Sequence, residues 1–407
     1  MPDGSRPSAV VDLSADGTTI IGNGNGRGFR WGANSGFTFL EPLPTDLPPT
    51  GVRGGPTSSA LAITADGREV IGTSTKGPVL EVVDGPIVPG FEDLFPYARY
   101  SRVNGSWNYG DSFGEEPALP DGLSSGRFSA DGRRAVAGPV SIWDRDLGRI
   151  VFDFEEEDFA QIQGISGDGS RVVVSRRDTE NLIEVPNVAG GGTTQAHPLF
   201  TSIWEVDDSG NQSLLAEFRG ADSDYPSVIS SFRGLSADGT TVVGRTNVGP
   251  FVNPALPNTV FQAFRWTAGK GLELLTSNDQ EAVSPLDNYT RATGVSGDGS
   301  VIIGESSIFN ESTPRSFVWT EPLGMMATAE FLSLLGLKDE LAGWKLEPPS
   351  LISDDGTVII GPGTNPSGEA DFWIATIPEP GTLGTAALVF VALSMRLRRR
   401  AMTESVD

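Results

Sequence analysis

The chain has 407 residues, no cysteine, a single histidine and a formal net charge of −24. Lack of thiols excludes disulfides, thiolate nucleophiles and cysteine-based metal or redox motifs. The acidic excess argues against nucleic-acid binding, which needs clustered Lys and Arg, and suits solubility outside the cell. The length exceeds what one compact core usually holds, so several units are expected. Its 51 glycines and 29 prolines suit many short strands joined by turns.

From the N-terminus onward, Ser/Thr-x-Asp-Gly returns seven times, as SADG, TADG, SADG, SGDG, SADG, SGDG and SDDG. The pairs are Asp16-Gly17, Asp66-Gly67, Asp131-Gly132, Asp168-Gly169, Asp238-Gly239, Asp298-Gly299 and Asp355-Gly356. Asp-Gly between β-prone runs predicts a type I′ hairpin turn, with the Ser or Thr two places earlier bonding locally to hold it. Each pair is followed by a short aliphatic run that usually ends in Gly, such as TTIIG, TTVVG and TVIIG, read as a buried strand. An aromatic strand comes next: FRW at Phe29, IW at Ile142 and Ile203, FRW at Phe264, FVW at Phe317 and FW at Phe372. The second repeat offers VLEVV from Val79 in its place. A fourth strand follows in several repeats, as GFTFLEPL at Gly36 and GLELL at Gly271.

Each repeat therefore reads as a four-stranded meander of about 50 residues, the size of a propeller blade. The expected fold is all-β: a seven-bladed β-propeller over 8–376, plus a C-terminal transmembrane helix. The repeats fall near 8–57, 58–122, 123–158, 159–228, 229–286, 287–343 and 344–376. Asp-to-Asp spacings of 50, 65, 37, 70, 60 and 57 place the variation in loops such as 187–198 and 247–258, where binding often occurs. One helix is expected in ATAEFLSLLGL from Ala327, with Phe331, Leu334 and Leu335 on one face.

The chain closes with Pro378-Glu379-Pro380, an apolar run from Gly381, and Arg396, Arg398, Arg399 and Arg400. A helix over 381–397 just reaches across a bilayer if the arginines snorkel, leaving 401–407 cytoplasmic and the acidic body outside.

The repeat resembles the HAF family of probable extracellular repeats, through FRGLSADGTTVVG from Phe232 and QAFRWTAGKGLELL from Gln262. The tail resembles the PEP-CTERM sorting signal at 377–400. These resemblances imply export, recognition and tail removal by an exosortase-type membrane peptidase, and association with exopolysaccharide or other matrix components in a biofilm. The tail AMTESVD is longer than that pattern usually shows. Such proteins carry a signal peptide, whereas MPDGSRPSAVVDLSADG has no apolar h-region, so the true start is expected upstream of Met1.

No catalytic set stands out, and neither a catalytic residue nor a cofactor or metal site is assigned. His197 sits in the Gly/Thr-rich stretch GGGTTQAHPLF and reads as a loop residue. Carboxylates are plentiful, at Glu155 to Asp158, Asp207 with Asp208, and Asp222 with Asp224. A calcium loop needs several oxygens from one segment, which leaves VDDSGN at Val206 and ADSDY at Ala221 as the candidates. GNGNGRG at Gly22 joins two strands rather than cradling phosphate. The expectation is a non-enzymatic, exported cell-surface or matrix propeller, transiently anchored in the inner membrane by its C-terminus. The alternatives are a polysaccharide-acting propeller enzyme using carboxylates in its channel, and a membrane-anchored adhesion platform.

Overall fold

Short strands, not helices, build most of the described chain, because the aliphatic runs of the repeats are only two or three residues long and follow the Asp-Gly turns closely. The computed structural model describes residues 6–41, 57–74, 97–103, 106–110, 128–154, 159–177, 179, 182–186, 193–197, 199–218, 231–247, 261–275, 289–307 and 315–377. The fold is an all-β propeller.

Four antiparallel sheets have four strands each. The first holds Ala9–Leu13, Thr19–Gly24, Arg27–Gly32 and Gly36–Phe39, and the second Ser58–Ile63, Glu69–Ser74, Tyr97–Val103 and Ser106–Gly110. The fourth holds Gln161–Ile165, Arg171–Arg177, Leu199–Val206 and Gln212–Phe218, with the hairpin Ile183–Pro186 and Thr193–Ala196 inserted. The last holds Val358–Thr364, Ala370–Thr376 and two short pieces, Lys345–Leu346 and Leu351–Ile352, paired along the same edge. The third sheet has only three strands, Arg134–Gly138, Ser141–Asp144 and Gly148–Val151.

The remaining eight strands form one continuous sheet. They are Ser231–Leu235, Thr241–Asn247, Phe261–Thr267 and Gly271–Leu274, then Tyr289–Val295, Val301–Ser307, Arg315–Thr320 and Gly324–Ala327. Its two halves meet at a single parallel pair, Phe261 with Tyr289, whose rings lie edge to face 5.9 Å apart.

The expectation of seven separate four-stranded blades is thus corrected to four such blades, a three-stranded sheet and one fused sheet. No helix among the described residues is long and apolar enough to cross a membrane. Residues 381–397 and 401–407 lie outside the described residues. The described helix, Thr328–Leu334, buries Phe331 and Leu332, whereas Leu334 is 63% exposed, so the expected apolar face is rotated.

Each Ser/Thr-x-Asp-Gly segment is a tight turn of a kind other than type I′. Gly17 donates to the carbonyl of Ser14, so Ala15 and Asp16 take the central places and only the glycine is left-handed. The Ser236 hydroxyl donates to Asp238 at 2.7 Å and accepts from the Thr241 N–H at 2.9 Å. Partial burial opposes the charge on Asp238, but the Thr240 N–H, the Ser236 and Thr240 hydroxyls and nearby Arg171 outweigh it and hold the carboxyl below its usual range. The two-residue turn with positive φ at both centres occurs instead at Asn25-Gly26, inside GNGNGRG.

The turns are wired to one another. Ala15 donates to Ala65, Ala65 to Ala130, Ala130 to Gly167, Asp168 to Ala237, Ala237 to Gly297, Gly297 to Asp354 and Asp355 back to Ala15. This closed circuit of backbone bonds encircles an axis. Apolar clusters fill the gaps between neighbouring sheets, and Leu13, Ile20, Val358, Ile360 and Ile374 join the last sheet to the first.

The glycine that ends several of the aliphatic runs has a packing cause. Gly22 stands opposite Phe29, Gly244 opposite Phe264 and Gly304 opposite Phe317. The aromatic ring covers the bare glycine, and a Cβ at Gly22 would meet the Phe29 ring 2.6 Å away. In the last sheet Trp373 takes that place over Gly361, so FW at Phe372 sits two positions off the other tryptophans. In the second repeat the third strand is Tyr97–Val103, with Tyr100 opposite Val70. VLEVV falls outside the described residues.

Candidate functional site

The strand register sorts the two ends of the axis. At one end lie the seven Asp-Gly turns and tight connections such as Gly32 to Gly36 and Thr267 to Gly271. The long insertions, including 75–96, 219–230, 248–260 and 276–288, all leave from strands that end or begin at the other. The loops singled out from sequence, 187–198 and 247–258, are connected to strands that end or begin there.

At the turn end a cavity of about 150 Å³ lies on the axis, bordered by Asp12, Asp354, Phe128, Ile165, Leu235 and the alanines of the turns. Asp12 accepts the N–H of Leu13 at 2.9 Å and that of Ile63 at 3.0 Å. Burial nonetheless pushes its carboxyl up to about 7, and the charge of Asp354 adds to the rise. Asp354 is itself raised, by burial and by neighbouring Asp355. Two acids that resist ionising together can hold or pass a proton near neutrality. The space, however, admits a few waters rather than a sugar ring, since ligand pockets usually run from about 300 Å³ upward. The carboxylate-lined enzyme channel therefore lacks room for its substrate at this end.

The sign of the Asp12 effect follows from its direction. An acid raised in the folded state leaves folding untouched below the unfolded carboxyl range, then weakens it as pH rises towards about 7. The D12N variant should therefore lose less stability than the wild type between pH 5 and pH 8, measured by urea unfolding at each pH. Parallel profiles would show that Asp12 keeps an ordinary carboxyl.

Asp12 and Asp354 were missed from sequence, although a signal was present. Counted from the turn Ser or Thr, the position two before it holds Asp12, Ala62, Arg127, Gly164, Gly234, Gly294 and Leu351. The position after it holds Ala15, Ala65, Ala130, Gly167, Ala237, Gly297 and Asp354. Each acid is the only one at its place, and closure of the ring brings the first and last repeats together.

The other sequence candidates are scattered. Asp207 caps its own loop, accepting from the Ser209 and Asn211 N–H groups, and Asp208 pairs with Arg133 at 2.9 Å. The acids of VDDSGN are thus engaged by protein groups, and the described residues contain no cluster of three or more metal-ligating side chains. His197 is half-buried beside the inserted hairpin. Glu155 to Asp158, Asp222, Asp224, Pro378, Glu379, Pro380 and the arginines from Arg396 to Arg400 lie outside the described residues. The seven turn aspartates face their own turns rather than one another.

No protein-family model matches the chain, and no curated protein matches it. Among solved structures it is similar to the β-propeller domain of the Trilobed protease from Pyrococcus furiosus, at 10% identity and a TM-score of 0.45, covering 91% of this chain and 95% of that one. It is also similar to Kuenenia stuttgartiensis hydrazine synthase, at 15% identity and a TM-score of 0.41, covering 92% and 96%. A third is an oligogalacturonate lyase in complex with manganese, at 14% identity and a TM-score of 0.33, covering 78% and 88%. The expectation of a non-enzymatic protein is withdrawn, because propellers serve as enzymes, ligand sites and interaction platforms alike.

Proposed function

We propose that the chain is an exported propeller that is sorted through its C-terminal signal and delivered to the cell surface or the extracellular matrix, where it associates with exopolysaccharide. The observation that carries this reading is the position of the last described core residue. Ile377 is buried in the core between the sheet carrying Val301–Ser307 and the last one, and its N–H donates to the Thr357 carbonyl. Pro378-Glu379-Pro380 begins at the very next residue. A peptidase that cuts at this motif removes the apolar run and the arginines without touching a described core residue. The acidic, cysteine-free body suits life outside the cell.

Mass-spectrometric mapping of the C-terminus in cell and culture fractions of the native host tests the proposal. The expected mature chain ends near Pro380 and is recovered outside the cell. A chain that keeps Arg396 to Arg400 and stays with the cells would overturn it.

A further inference from the structure

The end that bears the long insertions also carries a concentration of arginines and aromatic rings unusual for so acidic a chain. Arg245 lies 4.6 Å from the centre of the Phe261 ring and 5.3 Å from that of Tyr289, and donates to the Tyr289 hydroxyl at 2.5 Å. These contacts sit on the seam of the fused sheet. Arg291, two residues along from Tyr289, pairs with Glu305 at 2.7 Å, while its Nε is buried with no hydrogen-bond partner.

Arg233 differs from both. It occupies the bulge of the axial strand Ser231–Leu235, between Phe232 and Gly234, and is exposed. It makes no hydrogen bond or contact ion pair with another described residue, although the chain has 53 aspartates and glutamates to draw on. Partial desolvation of its inner atoms, then the charges of Arg291 and Arg245, destabilise its own charge, and Tyr289 and Glu305 offset this only in part. Arg245 stands opposite Ser231 across the strand pair, two residues from Arg233. Arg233 and Arg291 share one acid, Glu305, and a further anion would lower the mutual repulsion of these guanidinium groups. On the neighbouring sheet, Phe159 is 62% exposed, is held at a positive φ of 45°, and has Arg177 4.5 Å from its ring centre. A non-glycine residue in that conformation is strained, a feature that concentrates at ligand sites.

We propose that Arg233, Arg245 and Arg291, with Tyr289 and Phe261, form a binding site for a carboxylate-bearing glycan, one built from uronic-acid units. The planar guanidinium fork of Arg233 takes the carboxylate through paired N–H bonds, which a lysine cannot reproduce. The Phe261 and Tyr289 rings that flank Arg245 offer apolar edges to the face of the sugar ring. This deepens the reading above by naming the chemistry of the matrix component, and rests on that reading only for the source of the ligand.

The test is calorimetric titration of the full chain with a β-1,4-linked tetraglucuronate and with cellotetraose, its neutral counterpart of the same length. The expected result is sub-millimolar affinity for the uronate, at least tenfold weaker binding of cellotetraose, and at least a tenfold loss in R233Q, with R233K losing nearly as much. R68Q, at the turn end, should bind as the wild type does. Because Arg233 holds no other residue, R233Q should melt as the wild type does. Should it not, chemical-shift mapping of tetraglucuronate on the wild-type chain must move the Arg233, Arg245 and Tyr289 resonances. Equal binding of the neutral sugar, no binding, no effect of R233Q, or inorganic phosphate binding as tightly as the uronate would each overturn the proposal. The titration uses purified protein, so a failure of the sorting reading appears only at the C-terminus of the mature chain.

Discussion

The R134M variant should lose about 3–5 kcal/mol of unfolding free energy, the usual cost of stranding one member of a buried ion pair. Arg134 is only 3% exposed and donates from Nε to Asp144, itself fully buried, at 2.7 Å. Its remaining donors reach the carbonyls of Gly169 at 2.9 Å, Val206 at 2.8 Å and Asp207 at 2.6 Å. One side chain therefore pins the third sheet to the fourth. Methionine fills much of the volume but leaves a buried carboxylate and three carbonyls without that donor. Burial opposes the charge of Asp144, yet Arg134, the N–H groups of Asp146 and Leu147, and Arg133 outweigh it, so the carboxyl lies below its usual range. A depressed acid stabilises the fold above its unfolded value and stops doing so as pH falls through its folded value. R134M should accordingly flatten the acid limb of the stability profile. A urea midpoint and acid limb unchanged from wild type would show that the clamp contributes nothing.

Replacing Gly304 by Val should cost about 3 kcal/mol through overpacking. A side chain at this position would drive into the Arg291 carbonyl and the tip of the Phe317 ring, which is 1% exposed. The carbonyl is backbone and cannot turn aside, so the ring must leave its place between the sheets. The companion variant G304A/F317L should recover part of the loss seen in G304A, because the smaller side chain frees the space. A double-mutant cycle with no coupling would mean that glycine is present there for some cause other than the ring above it.

That pairing shows how far the repeat could be read beforehand. The hydroxyl-to-aspartate bond in each Ser/Thr-x-Asp-Gly turn spans two residues, so it was legible from the motif. The turn type was not, because the backbone closes one residue earlier than the Asp-Gly pair suggests. The third strand of the second repeat went unseen because residues 75–96 separate it from its partner. The shift of Trp373 was equally hidden, since only the register opposite Gly361 reveals that it stands where phenylalanine stands elsewhere.

The candidate sites depended still more on the ring. Asp12 and Asp354 come from the first and last repeats and share a cavity because Asp355 bonds back to Ala15. Arg233 and Arg245 belong to one repeat and Arg291 to the next, and only the fusion of their sheets at Phe261 and Tyr289 makes them neighbours across a seam.

By itself the sequence determined most of the strands, the place of the recurring turn and the aromatic–aliphatic alternation, because each rests on bonds or periodicities a few residues long. It also determined the acidic, thiol-free surface and the Pro-Glu-Pro tail, which are matters of composition and order. Tertiary structure alone decided which sheets remain separate, which two fuse and which charged side chains share an end of the axis. Those outcomes depend on contacts between residues tens to hundreds of positions apart, whose geometry exists only once the ring has closed.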